Sequence, residues 1–444
     1  MTEMLTADAS PEKRLFISLL TRDISMVAAF LDLVDNSINA AVAPMSSELE
    51  TAKNYQKVLV NDDVQPTVDI RLKLTTEEIQ INDTAPGISA TTAAEHVFKF
   101  GRASGEPHEN DRLSVYGIGL KRAMFKLGNK IRIISDHIEG GFELQLNVRE
   151  WASDVCQPWG LEISPRAPVD ARRCGTSITI GELYDDTVRR LDDGVFEGQL
   201  IGAISRTYAF YLAKFVKILV NDKQVEGINI QLGSNYTSEV LTIGDVTCSI
   251  TAGIAVPEGG SFRDRSSGWF VFCNGRAVIS ADKTPLTGWS GSGLPIFQPK
   301  HRPFLGTVFF VARNAEELPW TTTKAGINED SLLWQETKRQ MISVGRGVVS
   351  YLDRRYTDEG TEVASKDLRE VAGNKISALA AAASKKKKFE PPKRKPPKNI
   401  RIQYDAAVGD VERIKEYLQK PGMGGAEVGR YTFRYFLRNE VGDD

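Results

Sequence analysis

Phe30-Leu31-Asp32-Leu33-Val34-Asp35-Asn36-Ser37-Ile38-Asn39-Ala40 repeats apolar side chains at helical spacing. Phe30, Leu33, Val34 and Ile38 form one stripe, while Asp32, Asp35, Asn36 and Asn39 occupy the other faces. Asp32 and Asn36 stand one turn apart, so a carboxylate and a carboxamide face the same space. A carboxylate there can orient or deprotonate a water. An amide oxygen is a hard ligand that suits a magnesium ion carrying phosphates. Polar residues four apart are also common on plain surface helices, so this chemistry needs partners elsewhere in the chain.

Two later stretches supply them. Val68 to Ile81 alternates like a strand and runs into Ile81-Asn82-Asp83-Thr84-Ala85-Pro86-Gly87-Ile88, which puts one carboxylate at the strand's end before a turn. Tyr116-Gly117-Ile118-Gly119-Leu120-Lys121 then opens a helical pattern, Leu120 to Leu127, behind two glycines. Glycines at a helix start let backbone N–H groups approach phosphate oxygens, and a lysine in the first turn adds positive charge. Each motif is weak alone, but the three in this order and spacing resemble the Bergerat ATP-binding fold of the GHKL superfamily. That superfamily includes gyrase B, MutL, topoisomerase VI B, MORC proteins, heat-shock chaperones and histidine kinases.

The resemblance assigns roles by position. In the first box, Glu-x-x-x-Asn, the acid positions the attacking water and the asparagine binds magnesium; these roles fall on Asp32 and Asn36. Asp32 is one methylene shorter than the family's glutamate. In the second box, Asp-x-Gly-x-Gly, the aspartate reads the adenine amino group, which implies base binding by Asp83 and equates Gly87 with the last glycine, Ala85 replacing the middle one. The lid falls on Phe100 to Lys121, with Gly117, Gly119 and Lys121 around the phosphates. Gly175-Thr176-Ser177-Ile178-Thr179-Ile180 matches the Gly-Thr that closes the family pocket, and Thr176 would join Asp83 around the adenine. The implied cofactors are ATP and Mg2+.

After the first domain the pattern continues. Leu200 to Phe215 has helical spacing, Val216 to Asp222 reads as a strand and turn, Gly268 to Ala277 as another strand and tight turn, and Gly306 to Val311 as a third. This order resembles the transducer domain of MutL, gyrase B, topoisomerase VI B and MORC proteins, in which Asn-Gly-Arg is a recurring turn; histidine kinases lack it. Pro319-Trp320-Thr321-Thr322-Thr323-Lys324-Ala325-Gly326 presents one lysine. By the resemblance, Lys324 reaches back to the terminal phosphate as a second catalytic residue. Upstream, Ser10 and Pro11 read as a helix start, and Leu15, Phe16, Leu19 and Leu20 as a face that covers the nucleotide domain or a twin subunit. Met45 to Asp63 reads as a polar, irregular insertion.

Composition sets the outer limits. A chain of 444 residues, 41% hydrophobic, has room for two or three domains with buried cores. The net charge of -2 excludes a globally basic nucleic-acid binder but leaves local patches open. Four cysteines, Cys156, Cys174, Cys248 and Cys273, show no paired spacing and read as reduced thiols of an intracellular protein. The histidines at 96, 108, 137 and 301 are equally scattered, which argues against a transition-metal site. No apolar run approaches the ~20 residues of a membrane span, and no signal pattern opens the chain. Lys385 to Lys398 carries eight positive charges, one negative charge and four prolines, the composition of an extended, mobile linker suited to phosphate backbones. In a eukaryotic host the same run would serve as a nuclear signal.

The expected fold class is therefore α/β: a Bergerat α/β sandwich over residues 1–185, a transducer-like α/β domain over 186–355 and a helical extension over 356–384. A basic proline-rich linker, 385–398, and a small C-terminal docking segment, 399–444, follow. The expected function is an ATP-dependent, slowly hydrolysing homodimeric clamp acting on DNA in repair, compaction or defence against foreign DNA. The chain shows no nuclease, toprim or strand-cleaving tyrosine signature, so cutting would need a separate effector or nuclease protein. The alternatives are a chaperone-like ATPase acting on a protein client and an ATP-binding scaffold with little turnover. The expected location is the cytoplasm, with no membrane partner.

Overall fold

Ser25 caps the first long helix by accepting the Ala28 N–H at 3.1 Å, and from there the stripe of Phe30, Leu33, Val34 and Ile38 is driven into the core. In the computed structural model this helix and its surroundings are described over residues 12–60, 68–100, 113, 117–153, 159–256, 262, 267–291, 293–359, 368, 370–384, 386–391 and 402–442. Residues 1–391 and 392–444 are two separate compact units.

The first unit begins with α1 (Lys13–Arg22), α2 (Met26–Val42) and α3 (Ala52–Val60). β1 (Val68–Leu74) and β2 (Glu78–Asp83) form an antiparallel pair, Leu72 opposite Ile81, whose alternate side chains are buried. A short α4 (Ala90–Thr92) leads toward the glycine-opened α5 (Gly119–Leu127), and then β3 (Gly128–Asp136), β4 (Phe142–Asn147), α6 (Val148–Ser153), β5 (Ile163–Pro165) and β6 (Gly175–Leu183) follow. Next come α7 (Asp185–Asp192), α8 (Phe196–Thr207), α9 (Ala209–Lys214), β7 (Val216–Val220) and β8 (Lys223–Gln224). All eight strands make one sheet in the order β5-β4-β3-β6-β2-β1-β7-β8.

β7 corrects the expected boundary at residue 185. Its register places Val68 opposite Val216 and Leu72 opposite Val220 in a parallel pair with β1, so the strand assigned to the second domain completes the first sheet. Val216, Ile218 and Val220 are fully buried there, which fixes the choice. The expected insertion is corrected as well, because α3 is a packed helix. Its Tyr55 is fully buried and donates its hydroxyl to the carbonyl of Asn274 at 2.9 Å; residues 61–63 lie outside the described residues. Finally, Met26–Met45 is apolar and long enough to cross a bilayer, contrary to the sequence reading, but 72% of its apolar window is buried inside the protein.

The second sheet has the order β12-β11-β13-β10-β9-β14, built from β9 (Gln231–Ile243), β10 (Val246–Ala255), β11 (Gly268–Cys273), β12 (Arg276–Asp282), β13 (Phe304–Val311) and β14 (Lys375–Ser377). Every residue of β11 and β13 is buried, as parallel neighbours covered on both faces require. α10 (Leu332–Glu359) packs on β10. β14 interrupts the helical extension expected over 356–384, pairing Lys375–Ser377 with β9.

The described part of the basic run is not a free linker. Lys387 pairs its backbone with Ser238 of β9, and Phe389 N–H donates to Thr237 Oγ1 at 3.1 Å. Lys386 pairs with Glu239 at 2.8 Å, and Phe389 is buried against Tyr351. The cause is the one large apolar residue in the run: Phe389 gains more by burial than the strap loses in chain entropy. The strap also covers the part of the β9 edge that β14 leaves open. Residues 385 and 392–398 lie outside the described residues.

The C-terminal unit folds as helices Val408–Tyr417 and Gly425–Phe436. The second gathers the aromatic cluster, with Tyr431, Phe433, Tyr435 and Phe436 between 44% and 60% exposed.

Candidate nucleotide site

α2 presents Asp32, Asp35 and Asn36 on one side, and each meets a different environment. The Asp32 side chain is 1% exposed and is held by Arg122 of α5, whose Nε and Nη2 donate to Asp32 Oδ2 at 3.0 and 2.5 Å. Burial pushes the Asp32 carboxyl above its ordinary 3.8, with Lys324 and Arg122 pulling the other way. Asn36, one turn on, has a buried amide nitrogen with no hydrogen-bond partner among the described residues. A buried polar group without a partner is costly, so a ligand that satisfies this amide gains the difference.

Asp35 is the centre of a buried charge cluster. Its Oδ1 accepts from Tyr208 at 2.6 Å and Arg276 Nε at 2.9 Å, and its Oδ2 accepts from Lys324 Nζ at 2.8 Å. Burial alone would raise its pKa, but Arg276 and Lys324 outweigh that and hold it below 3.8. Burial and the Asp35 charge push the Tyr208 hydroxyl well above its usual range, so it remains a donor. Asp35, Arg276 and Tyr208 were not singled out by sequence; the Asn-Gly-Arg turn was the available signal. That turn has Asn274 at φ +47° and Gly275 at φ +88°, and the hydroxyls of Tyr55 and Tyr211 both donate to the Asn274 carbonyl.

On the opposite side of α2 stands Asp83, at the end of β2. Ser37 donates to its Oδ2 at 2.6 Å, and the N–H groups of Ala85 and Thr176 donate to its Oδ1 at 3.1 and 3.2 Å. Burial raises its pKa against these three bonds. A carboxylate offers about four acceptor positions, so one remains for an amino group. The β2–β6 register places Asp83 directly opposite Thr176, and Thr176 Oγ1 lies 3.0 Å from Ser135 Oγ. Gly87, φ +74°, is required by close approach: a Cβ there would stand 2.0 Å from the Asp136 carbonyl oxygen. Ser37 is a site residue that the sequence did not single out; it follows Asn36 by one position.

Gly117 adopts φ +62° and Gly119 opens α5 against Asp32, where an added Cβ would lie 3.5 Å from Asp32 Cγ. Of the expected lid, residues 101–112 and 114–116 lie outside the described residues; Leu113 is fully buried and its N–H donates to Asn39 Oδ1 at 3.1 Å. Lys121 departs from the expected phosphate contact. It is fully buried, and its ammonium donates to the carbonyls of Val97 and Lys99 at 2.7 and 2.6 Å, tying α5 to the segment before the lid.

Asp32 thus lies against Gly119 and Lys324 is bound to the neighbouring Asp35 of α2, while Asp83 and Thr176 form a second group joined to α2 through Ser37. Lys324 arrives from the second sheet on a loop where its own φ is +53°, and its ammonium is bound to Asp35. Among the described residues no group of three or more His, Cys, Asp or Glu side chains is placed to hold a metal ion.

Residues 24–176 match the family model described as histidine kinase-, DNA gyrase B-, and HSP90-like ATPase. The match takes in α2, Asp83, Gly87, the two lid glycines and Thr176, and ends before the second sheet. No curated protein matches the chain.

Proposed function

The chain carries a GHKL-type ATPase domain across residues 24–176, and on that premise we propose that it is an ATP-driven homodimeric clamp that acts on DNA. The observation that carries the nucleotide chemistry is the buried amide nitrogen of Asn36, which has no hydrogen-bond partner among the described residues and stands one turn from the buried Asp32 carboxylate, a donor suited to a phosphate oxygen. Asp83 uses its remaining acceptor position for the adenine amino group, and Thr176 and Ser135 fix that edge. Asn36 would offer its amide oxygen to magnesium, which would screen phosphate charge when bound. Gly117 and Gly119 let backbone N–H groups reach the phosphates. Asp32 orients and deprotonates the attacking water.

Lys324 gives the site its link to the second sheet. A γ-phosphate competes with Asp35 for its ammonium, and moving that cation toward the phosphate stabilises charge in phosphoryl transfer. Release of phosphate returns Lys324 to Asp35. The clamp closes by joining two subunits in the ATP state. DNA contact falls to the basic residues beyond the strap, Lys393, Arg394, Lys395 and Lys398, which favour phosphate backbones without sequence readout.

ATP turnover by the purified protein, with and without duplex DNA and beside Asn36→Ala, tests the proposal. Magnesium-dependent turnover that DNA stimulates and Asn36→Ala lacks supports it. Turnover indifferent to DNA, with no salt-dependent DNA binding, removes DNA from the reading and leaves the ATPase. A protein that binds no ATP refutes both.

A further inference from the structure

We infer that Arg122 is a positioning residue for the water-attack step, and that it makes the short acid at position 32 usable. The inference rests on the ATPase reading above. An aspartate holds its carboxylate about 1.5 Å, one C–C bond, closer to the helix than a glutamate would. An acid so retracted must be aimed well to reach a water on the phosphate.

The grip of Arg122 does that aiming. A fork-to-fork arginine–carboxylate pair uses both oxygens. Here Nε and Nη2 both donate to Oδ2, at 3.0 and 2.5 Å, and Oδ1 has no hydrogen bond to another described residue. Oδ1 lies beside Gly119, where a first side-chain carbon would come within 3.7 Å of it. The oxygen left over therefore faces the start of α5, on the side where the two glycines open the backbone. Arg122 cannot easily turn away, because its side chain is only 6% exposed. Lys121, bound to the carbonyls of Val97 and Lys99, fixes the same turn of α5 from its other side. The helix that opens the phosphate loop thus also sets the angle of the acid.

The test compares Arg122→Met, Arg122→Lys, Asp32→Asn and the double variant Arg122→Met/Asp32→Asn, measuring kcat, KM, ATP affinity by calorimetry and the melting temperature. Arg122→Met should lower kcat by about tenfold to a hundredfold while KM and ATP affinity stay within about twofold. Arg122→Lys, which keeps the charge, should recover part of the loss. In the Asp32→Asn background Arg122→Met should cost nothing further, since its effect runs through the acid. Turnover that is unchanged or faster in Arg122→Met overturns the inference, and so does parallel loss of kcat, ATP affinity and melting temperature that Arg122→Lys does not relieve. Wild-type turnover with an indifferent Arg122→Met refutes this inference alone. A wild type that binds ATP without hydrolysing it refutes the hydrolytic reading as well.

Discussion

Asp83 has three of its acceptor positions committed before any ligand arrives, so its remaining one is directional. Asp83→Asn keeps one acceptor oxygen for the N–H groups of Ala85 and Thr176 and turns the other, which accepts from Ser37, into a donor. It should weaken ATP binding by at least about 2 kcal/mol, roughly thirtyfold, in calorimetry with magnesium and ATP. Asp35 belongs to a different balance. Replacing it by alanine strands Arg276 and Lys324 as buried cations and should cost about 3–5 kcal/mol in urea unfolding. The same residue sets an acid limit. Its pKa is held below the 3.8 of an ordinary aspartate, so the unfolded chain takes up this proton at higher pH than the native one. The stability Asp35 contributes is present above about pH 4 and is lost as pH falls through the native value. Asp32 and Asp83, whose pKa values are raised, act with the opposite sign and gain relative stability in acid. Urea midpoints measured from pH 7 down to pH 3 should therefore fall less steeply in Asp35→Asn than in the wild type.

What the sequence revealed at this scale was position, and what it hid was pairing. Asp32, Asn36 and Asp83 are readable because helical spacing and a strand end place them. Arg122 and Arg276 are not, because a surface arginine and a buried one look the same until a partner 90 or 241 residues away is known. Lys121 misled for the same reason, as a first-turn lysine is equally able to meet a phosphate or the carbonyls of Val97 and Lys99.

Among elements, α2, β11 and β13 came through, while the run read as one strand from Val68 to Ile81 is a hairpin of β1 and β2, because the chain turns at residues 75–77. Those decided by tertiary context did not come through. α3 owes its place to Tyr55 reaching Asn274, and the strap over 386–391 owes its place to Phe389. The strap carries a prediction of its own. Phe389→Ala removes an 8%-exposed ring at the margin of the core and should cost about 2–3 kcal/mol in chemical denaturation. It should also quicken amide exchange at Ser238, whose N–H donates to the strap's Lys387 carbonyl.

At the scale of the molecule, α2 serves both sheets. Its buried acids meet α5 of the first domain through Arg122 and the second sheet through Arg276 and Lys324. ATP binding should therefore stabilise both sheets together, raising stability by about 2.7 kcal/mol at a hundredfold excess over Kd, seen as a single shifted transition in calorimetry. Light scattering should show a dimer with a non-hydrolysable ATP analogue and a smaller species with ADP.

The parallel pairing of β1 with β7 bears on how much of this chain can live by itself. The span that matches the family model stops at residue 176, some way before β7. A fragment cut there, or at 185, would leave β1 with bare amides and carbonyls along one side and the seat of Val216, Ile218 and Val220 empty. Such a piece is not a smaller enzyme but an adhesive one, prone to borrow the missing strand from its neighbours. A fragment ending beyond Gln224 keeps the strand, yet still abandons the buried anions of α2 when it loses Arg276 and Lys324. The nucleotide module is thus recognisable as a family unit while depending, for its autonomy, on chain that the family does not define.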